Sequence, residues 1–250
     1  MSQSHLPMAS TIRVGIAGWS VPATYRAAQP VGSHLQQYAT HFNCVEINSS
    51  FYKPHRLATY ARWAETVPPE FRFSAKLPKL ITHERRLVAC EEAVTQFCAA
   101  VAGLQDKLAV LLVQLPPSMV FDQRAVEATL RLLRATSTAT IVCEARHLSW
   151  FQPEVDRLFS ELGVTRVFAD PGIDTTLRPA IAAGQFSYLR LHGQPHVYYS
   201  SYSPEYLADL AARLKAAADG PGAWCIFDNT ASAAAWPNAI ELKEYLLHPA

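Results

Sequence analysis

The feature that most restricts this chain is the recurrence of short apolar runs, most of them followed by a stretch with helical spacing. Eight runs stand out: "RVGIAGW" from Arg13, "CVEINSS" from Cys44, "FRFSAKLP" from Phe71, "AVLLVQLPP" from Ala109, "IVCEARH" from Ile141, "TRVFADP" from Thr165, "YLRLHG" from Tyr188 and "WCIFDNT" from Trp224. Between them lie patterns such as "ATYARWAETV", "EEAVTQFCAAVAGL", "QRAVEATLRLLRA", "QPEVDRLFSELG" and "PEYLADLAARLKAAA", with apolar residues three and four apart. A strand followed by a helix, repeated, implies parallel strands joined by crossover helices. Eight repeats in 250 residues match a single-domain TIM-like (β/α)8 barrel with a core over about 13–247. The sixth helix, expected between Pro171 and Ala183, is short or irregular, because "GIDTTLRPA" breaks the pattern. A doubly wound open sheet is the alternative, but no Gly-rich phosphate loop follows the first strand.

Composition narrows the function classes. Half of the residues are hydrophobic and 17% are charged, so a large core forms and global disorder is excluded. The formal net charge of +1 supplies no overall field for nucleic acid or an anionic membrane. Five cysteines show no CxxC or Cys/His zinc spacing, which suits small core residues in a reducing compartment. "MSQSHLPMAS" lacks a signal-peptide pattern and no apolar run reaches membrane-spanning length, so a cytoplasmic, membrane-free protein is expected.

Alternation within the strands locates the chemistry. Barrel strands send successive side chains alternately to the helices and to the interior. Val45 and Ile47 oppose Glu46 and Asn48; Phe71, Phe73 and Ala75 oppose Arg72, Ser74 and Lys76; Val113 and Leu115 oppose Gln114. Cys143 and Ala145 oppose Glu144 and Arg146, Leu189 and Leu191 oppose Tyr188, Arg190 and His192, and Phe227 opposes Asp228. Apolar side chains suit the helix-packed face, so the polar set points inward. Its charges gather at the carboxyl ends of the strands, where this fold carries active sites.

Charges buried inside a barrel must pair with one another or bind something. One reading is a self-satisfied lattice, with Glu46 on Lys76 and Glu144 on Arg190 or Arg146. The other is a ligand site. Glu46, Glu144, His192 and Asp228 are then the candidate catalytic groups. Trp19, Asn48, Tyr52, Lys76, Gln114, Arg146, Asp170, Arg190 and Asn229 are candidate substrate contacts. Arginine and lysine suit a phosphate or carboxylate, while carboxylates suit hydroxyls or proton transfer. Cations beside the carboxylates disfavour a multi-metal centre, so no cofactor is expected. A single divalent ion on Glu144, Asp170, His192 and Asp228 is the variant this set leaves open. Lys76 has the chemistry of a Schiff-base amine, but the expected neighbour Glu46 argues against that role. Two loops carry weaker signals. "ITHERRL" reads as a helix start capped by Thr82 in preference to a phosphate clamp, and "HVYYSSYSPEY" as tyrosine packing over the mouth. Ser203-Pro204-Glu205 reads as a helix start.

The motifs "GIAGWS", "FNCVEINSSFY", "VPPEFRFSAKLPKLITHERRL", "LLVQLPPS", "CEARHLSW", "YLRLHG" and "IFDNT....WPNAIELKEYL" together resemble the YecE-like family, domain of unknown function 72. The resemblance runs in order from about residue 13 to 247. It implies a TIM-like barrel and brings no established activity. The leading expectation is an enzyme doing acid/base chemistry on a small polar, phosphorylated or sugar-like substrate, of hydrolase, lyase or isomerase class. The alternatives are a metal-dependent phosphodiesterase acting on nucleic acid and a non-catalytic metabolite- or partner-binding protein.

Overall fold

The computed structural model describes residues 12–26, 32–173, 184–217 and 220–247. Eight strands lie at β1 Ile12–Ile16, β2 Cys44–Ile47, β3 Arg72–Lys76, β4 Leu108–Gln114, β5 Thr140–Glu144, β6 Val164–Asp170, β7 Ser187–Leu191 and β8 Ala223–Phe227. They form one sheet in the order β1-β8-β7-β6-β5-β4-β3-β2, parallel throughout its ladders. The helices are α1 His34–Ala39, α2 Ser49–Tyr52, α3 Leu57–Glu65, α4 Glu91–Val101, α5 Gln123–Thr136, α6 Pro153–Leu162, α7 Pro204–Ala216 and α8 Ala235–Leu247. This is the expected (β/α)8 barrel. The predicted irregular helix lies largely in 174–183, outside the described residues. Among the described residues no helix is long and apolar enough to cross a membrane.

The alternation holds along the strands. Val45, Ile47, Phe73, Ala75, Val113, Ile141, Cys143, Leu189, Leu191, Cys225 and Phe227 pack outward against the helices. A separate cluster of Cys44, Val110, Leu112, Val142, Val167, Tyr188, Trp224 and Ile226 plugs the lower interior. These side chains are apolar and buried, so the charges above them rest on a low-dielectric floor.

Among the described residues only the β1–β2 seam lacks a regular ladder. There the chain uses a single bridge between Ala17 and Glu46, and Gly18 N donates to Glu46 O at 2.8 Å. Below it the Tyr38 hydroxyl accepts from Ile16 N at 2.9 Å and donates to Cys44 O at 2.8 Å, standing in for a missing ladder bond. Gly15 permits this approach: a Cβ there meets Cys44 O at 2.5 Å. The caps follow local chemistry. Asp122 accepts from Ala125 N ahead of α5, and Ser203 accepts from Tyr206 N ahead of α7, with Pro204 at the first helical position. Ser49–Tyr52, which continues an apolar run in sequence, turns into a helix as soon as β2 ends.

Candidate functional site

Arg190 is the hub of the polar layer. It projects inward from β7 with no exposed surface, and its guanidinium reaches carboxylates from three other strands. Nε and Nη2 grip Glu46 of β2 bidentately at 3.0 and 2.8 Å. Nη1 donates to Glu144 of β5, and Nη2 also donates to Asp228, just past β8, at 2.8 Å. The Tyr188 hydroxyl donates to Glu46 Oε2 at 2.9 Å and shares a hydrogen bond with Ser74 Oγ. Glu46 is thus saturated and wholly buried. Arg146 closes the other side of Glu144, with Nε to Oε1 at 2.6 Å. Burial opposes the charge of Glu144, but Arg190 and then His192 and Arg146 outweigh it, holding its pKa well below the carboxylate range.

His192 lies above this layer, 3% exposed. Its Nδ1 bonds Asp228 Oδ2 at 3.1 Å, while Nε2 lies 3.3 Å from Arg146 Nη2 and 3.4 Å from Glu144 Oε1. A neutral ring donates from Nδ1 to Asp228 and accepts from Arg146 at Nε2. Protonation of Nε2 exchanges that acceptor for a contact with Glu144. Burial disfavours the imidazolium, but the bonds to Asp228 and Glu144 prevail and raise the pKa above the ordinary histidine value. Asp228 is lowered, with burial again overcome by Arg190 and His192.

Lys76 ends β3 on the same side. Its ammonium lies over the Phe51 ring, 4.3 Å from the centroid, and no carboxylate of the described residues lies within ion-pairing distance. The expected Glu46–Lys76 pair does not form, because Arg190 takes both oxygens of Glu46. Burial and then Arg190 push the Lys76 pKa down to about 8, against the pull of Glu46, Asp228 and Glu144. Phe51 also meets His83 edge to face at 4.9 Å. Burial is the main cause that lowers His83 to about 4, followed by Lys76, Arg146, Lys79 and Arg86. His83 therefore stays neutral inside a ring of cations.

Glu46, Lys76, Glu144, Arg146, Arg190, His192 and Asp228 converge at the carboxyl ends of the strands, as the alternation predicts. The remaining candidates divide. Gln114 is inside and buried, opposite Glu144 in register, with Nε2 donating to Leu115 O. Asn48 follows Glu46 with a buried Oδ1 that has no partner among the described residues. Trp19 packs edge-on against Trp63 at 4.9 Å, and Tyr52 is 80% exposed at the end of α2. Asn229 is a structural clamp: its buried amide donates to Ser200 O and Asn238 Oδ1, holding the loop after β7.

Asp170 is a correction. Its register partner is the outward Leu191, so it faces the helices and not the mouth. There it accepts from the Tyr206 hydroxyl and Gln194 Nε2. The metal set drawn from the sequence loses this member. Among the described residues no three His, Cys, Asp or Glu side chains are grouped to hold a metal ion.

The loops supply what the strands do not announce. "ITHERRL" is not a helix capped by Thr82: Leu80–Glu84 forms a single wide π-type turn with Thr82 buried, its Oγ1 bonded to His83 Nδ1 at 2.8 Å. Arg86, Leu87 and Ala89 then take positive φ angles of 50, 66 and 46°. Such turns and strain concentrate at functional sites. In the tyrosine-rich loop, Tyr202 and Tyr206 pack and bond around Asp170. Tyr198 instead meets His192 edge to face at 5.7 Å. Phe51, His83 and Tyr198 therefore join the site. Their sequence signal is their place in the segments that follow β2, β3 and β7, two of which, "ITHERRL" and "HVYYSSYSPEY", carry the weaker loop signals.

Residues 13–249 match the family model described as a protein of unknown function, DUF72. The chain is 30% identical to the UPF0759 protein YecE of Escherichia coli (strain K12) over 165 residues, 64% of this chain and 59% of that protein. It is 28% identical to the UPF0759 protein YunF of Bacillus subtilis (strain 168) over 151 residues, 57% and 53% of the two chains. It thus spans less than two thirds of the length of these curated relatives. A DUF72 family protein from Enterococcus faecalis V583 has the same fold, with a TM-score of 0.80 at 23% identity, over 96% of this chain and 97% of that one. Another from Thermotoga maritima MSB8 gives 0.77 at 22% identity, over 95% and 99%.

Proposed function

The chain belongs to the DUF72 family, which brings a fold and no activity, and from its site we propose an enzyme that binds a small anionic substrate at the barrel mouth and works on it by proton transfer. One observation carries this reading. The carboxylates of Glu46, Glu144 and Asp228 are all committed to Arg190, whereas Lys76 and the outer side of Arg146 face the mouth without a further carboxylate among the described residues. Those three carboxylates are balanced by Arg190, Arg146 and Lys76, so protonation of His192 turns the mouth net positive. A phosphate or carboxylate is the complement of such a surface.

In this reading Arg146 and Lys76 hold the anion. His192, oriented by Asp228 at 3.1 Å, gives and takes the proton. Glu46 and Glu144 act through Arg190 as positioning residues, since neither has exposed surface. Gln114 and Asn48 shape the wall. The metal-dependent phosphodiesterase reading loses support with Asp170 turned to the helices.

The test is incubation with pools of phosphorylated and carboxylated metabolites, read by ³¹P and ¹H NMR beside thermal melts in inorganic phosphate. The expected result is a raised Tm in phosphate and depletion of one compound class. Asp228→Asn should slow that depletion by roughly 10²–10⁴-fold. Binding without turnover would replace the enzyme by a metabolite-binding protein. No response to any anion would end the proposal.

A further inference from the structure

Lys76 is the one inward charge at the mouth, among the described residues, that lacks an ion-pair or hydrogen-bond partner. It is 9% exposed, its ammonium rests on the Phe51 ring, and its natural counter-ion, Glu46 on the neighbouring strand, is held bidentately by an arginine from the far side of the barrel. A lysine needed only as an anchor for anions is served by full protonation, which a partner carboxylate would secure. This chain does the opposite, leaving the amine desolvated beside the Arg190 guanidinium. That is how a lysine is made nucleophilic near neutral pH.

We propose that Lys76 is an imine-forming nucleophile, and that the substrate of this site is a small aldehyde or ketone carrying a phosphate or carboxylate. The substrate class rests on the anion-binding reading above. The neutral Nζ lone pair attacks the carbonyl carbon, and the C=O π pair moves to oxygen, which takes up a proton. Nitrogen loses a proton, giving a neutral carbinolamine. Protonation of the hydroxyl then lets it leave as water while the nitrogen pair forms C=N. One amine, one carbonyl and one proton become one iminium and one water, the net proton coming from the His192–Asp228 pair, with no oxidant or reductant. Arg146 receives the anionic group, and the His192–Asp228 pair is the proton carrier within the mouth. The iminium withdraws electrons from the adjacent carbon, which suits bond cleavage or proton abstraction there. The depressed pKa of about 8 agrees with this role. Glu46, Glu144 and Asp228 act on Lys76 to raise it and Arg190 to lower it, and burial decides the direction.

The experiment treats the full chain at pH 7.5 with glyoxylate and sodium cyanoborohydride, which reduces an iminium to a stable secondary amine. Mass spectrometry of peptides then ranks the lysines. The expected result is carboxymethylation of Lys76 roughly ten-fold or more faster than of the exposed Lys53 and Lys79. Inorganic phosphate should protect Lys76 and leave the other two unaffected. Glycolaldehyde, neutral and of similar size, should lose most of that preference, as should glyoxylate with Arg146→Ala. Lys76 labelled no faster than Lys53 overturns the proposal even where phosphate raises the Tm; Lys76 is then an anchor and the proposed function stands. Equal selectivity for glycolaldehyde overturns the anionic-carbonyl assignment. Failure of both labelling and phosphate binding removes both readings.

Discussion

Arg190 and Lys76 are both inward cations, yet their energetics have opposite sign. The guanidinium satisfies three carboxylates, so removing the charge of one partner strands part of a buried network. Glu46→Gln and Glu144→Gln should each cost roughly 3–5 kcal/mol in urea melts at unchanged m-value. A loss under about 1 kcal/mol would mean that neither charge is needed to hold Arg190. The pH dependence follows from Glu144. Its folded pKa lies well below the ordinary carboxylate value of 4.5, so its stabilisation is complete above that value and lost as the pH falls through the folded pKa. Acid unfolding of Glu144→Gln should therefore show a shallower slope below about pH 4.5 than the wild type. Lys76 works the other way. Its pKa is depressed from 10.5 to about 8, so the folded state sheds a proton that the unfolded chain retains, and stability rises between those values. Lys76→Met should be more stable than wild type at pH 7 by up to about 3 kcal/mol, the gap closing by about pH 10.5. A destabilised Lys76→Met at pH 7 would show that the amine is a paired structural cation. The sequence made the inward set legible, since parity needs only the order of residues. It did not make the pairing legible, because Arg190 reaches Glu46 across 144 positions and adjacency on β2 and β3 suggests the wrong couple.

At the scale of elements, the eight strands were legible because parallel strands covered by helices stay apolar on alternate positions. Asp170 departs from the expectation because β6 brings it to the end of the strand on the outward register, opposite Leu191, and a terminal carboxylate carries no mark of its side. The β1–β2 seam was hidden for a different reason: beside the single Ala17–Glu46 bridge, its bonding relies on a helix side chain, Tyr38. Tyr38→Phe leaves Ile16 N and Cys44 O buried without that partner. It should cost about 1–3 kcal/mol and selectively speed hydrogen exchange at the Ile16 amide. Uniform exchange with no loss of stability would mean that the Ala17–Glu46 bridge suffices to close the barrel. In sequence the loop after β3 resembles a helix start because Thr82 and the charges after it imitate a cap. The wide turn that buries Thr82 and brings His83 to Phe51 depends on positive φ angles that Arg86, Leu87 and Ala89 do not advertise.

For the whole molecule, an apolar plug supports a saturated ion lattice, and the lattice supports a mouth whose unsatisfied charge is positive. A metal held in such a mouth competes with the fixed cations Arg146 and Arg190 and, below about pH 8, with the Lys76 ammonium. Chelation should accordingly leave the Tm unchanged, whereas a clear fall restored by one divalent ion would favour the metallohydrolase reading. The most direct test of the account is an anomalous-scattering experiment on crystals soaked in selenate, an oxyanion with the shape and charge of phosphate. The account predicts one strong selenium peak at the mouth, in contact with the Arg146 guanidinium and the Lys76 ammonium and absent in crystals of Arg146→Ala. Well-diffracting soaked crystals with no selenium at the mouth, or with selenium only on outer helices, would contradict it.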